Sequence, residues 1–166
     1  MNAFGLATIV AIVGGILNGD SLILQSETPL PPGLAAAVKR EMALSETWEQ
    51  RESPLLVVIH GVCHIPMPWQ EGHIERPLGW VNKVDGQILS IIHIDCSRIG
   101  LALRRIVIDP TSTDTLEMYA RAIARVIRHE RRHVLLNTST HEKAGENKSS
   151  LRADELAAPD FRRAFH

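Results

Sequence analysis

Aromatic side chains are scarce in this 166-residue chain, at 4% of positions. A core that cannot rest on large rings must be assembled from Leu, Ile, Val and Ala, within an apolar content of 45% that is ordinary for a globular protein. Cysteine is nearly absent. The two present, Cys63 and Cys96, are too few for a disulfide framework, and each sits in an apolar run where a free, buried thiol is expected. Charge of one sign is lacking as well: a formal net charge of −1 removes any general pull towards nucleic acid or anionic membrane. No Gly-rich phosphate loop and no G-x-S-x-G elbow occurs, so the nucleotide and serine-hydrolase chemistries that depend on those motifs have no foothold here.

Basic residues are missing from the first part of the chain, where the earliest is Lys39. The apolar stretch AFGLATIVAIVGGIL, residues 3–17, therefore lacks the charged flank of a signal peptide, and it is short for a membrane span. Asn18-Gly19 is a tight-turn dipeptide between two β-prone runs, LATIVAIVGGIL and SLILQ, which predicts a buried hairpin over 1–26. A signal or anchor, and a helix, are the alternatives. With the hairpin reading the expected compartment is the cytoplasm; with the other, the protein is exported or membrane-anchored.

What is present fits one α+β domain over 1–166. A proline-rich break, ETPLPPG, precedes an amphipathic helix over 33–51 with Leu34, Val38, Met42 and Ala43 inward. A strand region over 54–109 follows. It comprises PLLVVIHGV, a Pro/Gly-rich loop CHIPMPWQEGHIERPLG, a hairpin turning at Asp85-Gly86, and LALRRIVID as a last strand. A long helix spans 113–137, capped by Asp114 or Thr113 with Glu117 as the box partner, its apolar stripe running from Leu116 to Leu135. After a polar loop at 138–150, a helical segment over 150–165 closes the chain.

The long helix carries the chemistry. His129 and His133 are four residues apart, so their imidazoles leave the same face one turn apart, with Glu130 on the adjacent flank. Two such histidines and a third ligand hold Zn2+ with a position open to water, whose pKa the metal lowers while the glutamate serves as general base. Arg128, Arg131 and Arg132 crowd the motif. Arg131 falls on the far side of the helix from His129, whereas Arg128 and Arg132 adjoin the ligands. Arg132, and Trp69 in the Pro-rich loop, are candidate substrate contacts.

The helix resembles the active-site helix of HExxH zincin metallopeptidases. Within them it is most similar to small bacterial and phage proteins of the ImmA/IrrE kind and to relatives reading HExRHxxQ. That resemblance covers roughly residues 85–160. It implies a zincin-like domain with strands before the H-E-x-x-H helix, Zn2+ as cofactor, a protein or peptide substrate (for ImmA/IrrE, a transcriptional regulator), and an acidic third ligand on a following helix. In this chain that second helix reads Arg152-Ala153-Asp154-Glu155, with Arg152 standing where the family has its glutamate. Glu155, one turn on, is the expected ligand. Asp154, Glu142 and Glu146 are the alternatives, and His141 is not at the metzincin spacing.

Two other readings compete. The arginines from Arg121 to Arg132 can form a basic helix face that binds nucleic acid or an acidic partner without catalysis. The units His60-Gly-Val-Cys63 and His93-Ile-Asp-Cys96 offer the four ligands of a structural zinc, although residues three apart in a strand point to opposite faces.

Overall fold

The computed structural model describes residues 22–44, 55–65, 77–107, 109–141 and 150–158. The hairpin at Asn18-Gly19, Trp69, Glu142 and Glu146 lie outside the described residues.

The fold is α+β. In chain order the elements are β1 (Leu22–Ser26), α1 (Leu34–Ala43), β2 (Leu55–His60), β3 (Gly79–Val84), β4 (Gln87–Asp95), α2 (Cys96–Leu103), α3 (Thr113–Leu136) and α4 (Ala153–Ala157). The strands make one mixed sheet in the order β1-β2-β4-β3. β1, β2 and β4 run parallel, and β3 closes one edge antiparallel to β4. The β3–β4 turn is the expected one: Asp85 and Gly86 both take positive φ, as a two-residue hairpin requires.

Alternation along β2 sends Leu55, Val57 and Ile59 into the core and leaves Leu56, Val58 and His60 half-buried on the other face. Ile92 and Ile94 of β4 join the same core, as do Leu34, Ala37, Val38 and Met42 of α1 and the apolar stripe of α3. Helix α1 lies along α3, and the Arg40–Glu117 ion pair bridges them at 2.5 Å. Ala43 and Leu135, expected inward, are exposed. Among the described residues no helix is long and apolar enough to cross a membrane.

Three local expectations are corrected. Residues 96–103, within the expected strand region, are helix α2, because Asp95 caps it by accepting from the Arg98 amide at 3.1 Å. Cys96, Ile99, Gly100 and Leu103 then fall on one buried helical face. The cap of α3 is Ser112, whose hydroxyl accepts from the Thr115 amide, and Glu117 pairs with Arg40 instead of closing a box. Finally, Cys63 and Cys96 are joined in a disulfide with Cα atoms 4.9 Å apart, so neither free thiols nor a Cys₂His₂ zinc exists. The pairing is non-local. Register places His60 beside Asp95, and the left-handed turn at Gly61 brings the chain after β2 over the start of α2.

Candidate metal centre

Helix α3 ends where its histidines are. Asn137 adopts a left-handed conformation, φ 45° and ψ 44°, which stops the helix and folds the chain back. Its side chain accepts from the Ile88 amide at 2.8 Å, tying this corner to the β3–β4 hairpin. The Thr138 amide donates to the His133 carbonyl, and Thr138 and Thr140 form a small turn through their hydroxyls. That reversal returns His141 to the last turn of the helix.

His129, His133 and His141 consequently meet. One ring nitrogen from each lies within 4.8 Å of the others. The Nε2 atoms of His129 and His133 are 3.2 Å apart, close to the roughly 3.3 Å between neighbouring nitrogens around a tetrahedral zinc. The His141 ring lies near-parallel to that of His129 at 5.1 Å and edge-on to His133 at 4.8 Å. The Nδ1–H of His133 donates to the Thr138 carbonyl at 2.7 Å, which fixes the tautomer that leaves Nε2 a lone pair for a cation. Burial and the neighbouring His133 both hold the His141 pKa below its ordinary value, which favours the neutral, ligating form.

Glu130 flanks the trio, its Oε1 4.0 Å from His129 Nε2. Burial under β3 pushes its pKa from 4.5 up to about 7. Gly79 permits that burial: a Cβ there would stand 2.6 Å from Val126 Cγ1 and 3.1 Å from Glu130 Cγ. A carboxylate so placed exchanges protons with a neighbouring water near neutral pH.

The expected third ligand sits elsewhere. The buried Glu155 carboxylate accepts from the Arg152 amide at 2.7 Å, at the start of α4, and no cation-holding group among the described residues includes it. Asp154 pairs with Arg152 at 2.8 Å. Helix α4 is held upstream of the histidines: Arg121 donates to the Ala157 carbonyl, and buried Arg125 donates to the carbonyls of Glu155, Leu156 and Ala158. Arg128 reaches the Glu41 carbonyl, Arg131 is buried, and Arg132 alone of the five arginines is exposed. The sequence carried one sign of His141, an Asn able to take a left-handed turn just after the last helical residue. Comparison with protein-family models, curated proteins and solved structures finds no match to this chain.

Proposed function

We propose that this chain is a zinc-dependent metallopeptidase of the HExxH zincin type, with His129, His133 and His141 holding the metal and Glu130 as general base. The convergence of three imidazole nitrogens beside one buried carboxylate carries the reading. An all-nitrogen donor set of this size suits zinc and leaves a coordination position open. Zinc supplies Lewis acidity and an acidified water. His133 keeps its ligating nitrogen aimed through the Thr138 carbonyl, and Glu130 takes a proton at Oε1 and returns it to the leaving amine. A histidine in place of Glu155 departs from the ligand set that the ImmA/IrrE likeness implies, so the substrate is proposed only as a protein or peptide.

The non-catalytic rival, a basic helix meeting nucleic acid or an acidic partner, is weakened because most of its arginines are turned to internal carbonyls or buried. The disulfide supports an oxidising compartment over the cytoplasm.

Metal analysis and hydrolysis of an unstructured protein test the reading together. The wild type is expected to hold one tightly bound zinc at the α3 site. His129→Ala, His133→Ala and His141→Ala lose it, while Glu130→Gln keeps the zinc and loses at least a hundredfold in kcat. Wild-type protein purified without zinc and inert after its addition, or a fully active Glu130→Gln, overturns the proposal.

A further inference from the structure

A second histidine pair lies on the sheet face opposite the core. We infer that His60 and His93 form a site for a first-row divalent cation, independent of the α3 histidines. The parallel register of β2 and β4 sets Val58 beside His93 and His60 beside Asp95, so the two histidines are diagonal neighbours. Both alternate with core residues, Ile59 on one side and Ile92 and Ile94 on the other. His60 Nε2 and His93 Nδ1 stand 2.9 Å apart. A hydrogen is shared there in the metal-free protein, and a cation replaces it.

The outer nitrogens are held as those of metal-ligating histidines usually are. His60 Nδ1 contacts Glu27 Oε1 at 2.7 Å, a carboxylate that accepts its N–H and leaves Nε2 for the cation. His93 Nε2 contacts the Asn82 amide at 3.1 Å. That amide donates to an unprotonated Nε2, and when turned over it accepts from a protonated one. The proton displaced from His93 Nδ1 by the cation can therefore be carried on Nε2 with its hydrogen bond intact. Across the pair lies Trp80, its ring centroid 5.1 Å from each imidazole and its plane within 19° of both. Residues from or just beyond all four strands thus converge on two nitrogens, with further coordination positions left to water or to a ligand.

Trp80 provides the readout. In the full-length protein with its disulfide intact, Cu2+ is the probe, since it binds imidazole most strongly among these ions and quenches a nearby indole. Titration is expected to quench Trp80 and to bind one equivalent beyond the α3 site. His60→Ala/His93→Ala removes both effects. Trp80→Phe removes the quenching and keeps the equivalent. Glu27→Gln, a change at an exposed side chain, weakens binding ten- to a hundredfold without touching a ligand. If the double variant is poorly folded by circular dichroism, the Glu27→Gln shift decides. Equal copper uptake and quenching in wild type and in the folded double variant, or unchanged affinity in Glu27→Gln, leaves only a hydrogen-bonded pair and overturns the inference.

Discussion

Substituting Gly79 by Ala tests how closely β3 is seated on the H-E-x-x-H helix. The new Cβ would lie 2.6 Å from Val126 Cγ1, 3.0 Å from the His93 carbonyl oxygen and 3.1 Å from Glu130 Cγ. Carbon atoms pack best at about 3.5–4.0 Å, so all three neighbours must give way. The carbonyl belongs to the β3–β4 ladder, and Val126 is a core residue, 3% exposed. Overpacking of this kind costs about 1–3 kcal/mol. For a chain of this size that lowers Tm by about 2–12 °C. A second effect follows at Glu130: pushing its Cγ away from β3 moves the carboxylate relative to the histidines, so kcat falls beyond what unfolding explains. Differential scanning calorimetry of the metal-free protein measures the first effect, and hydrolysis at a temperature where both proteins are folded measures the second. Val126→Ala removes the nearest clashing atom, so in a double-mutant cycle the pair should be more stable than the sum of the single changes by at least about 0.5 kcal/mol. A Gly79→Ala protein within about 0.5 kcal/mol of wild type, or a strictly additive cycle, refutes the argument.

Three further outcomes are expected. Because the pKa of Glu130 is about 7 when folded against 4.5 unfolded, its protonated form is the one the fold favours; that stability is full below pH 4.5 and is lost as pH rises through 7, by roughly 3 kcal/mol. Urea melts of metal-free Glu130→Gln across this range should show a shallower pH dependence than wild type, and parallel curves would exclude the assignment. Reducing Cys63–Cys96, which are 33 residues apart, should cost about 4 kcal/mol by loop-closure entropy, read as a lower urea midpoint with dithiothreitol. Asn137→Ala loses both the left-handed preference and the bond to Ile88, and should cost about 1–2 kcal/mol and weaken zinc binding; Asn137→Gly, which keeps the backbone freedom, should cost less, and equal costs would count against the turn's role.

Elements governed by neighbours in sequence were legible. The 3.6-residue stripe marked α3 within one residue at its C-terminal end, and Asp85-Gly86 marked the hairpin. The run LALRRIVID misled because short apolar stretches suit strand or helix alike, and the deciding cap, Asp95, stands at the end of a genuine strand. The disulfide and His141 were hidden for a different reason. Each depends on two segments meeting: β2 beside β4 in one case, the reversal at Asn137 in the other. His129 and His133, with Glu130 on the adjacent flank, could be read from one helix, whereas His141, the third imidazole beside them, follows the turn after it. Glu155 was favoured by analogy with an acidic ligand; its carboxylate is engaged at the head of its own helix.

The Cys63–Cys96 bond also changes what a cut in the backbone can do. With those residues it closes a covalent ring that holds the whole β3–β4 hairpin, including Gly79, Trp80 and His93. Hydrolysis at any one peptide bond inside the ring opens it without releasing a fragment. The strand that covers Glu130 stays tethered to the rest of the molecule, and the nick becomes visible only when the sulfur bridge is reduced. A single cut by any protease would thus leave a two-chain protein held together by sulfur.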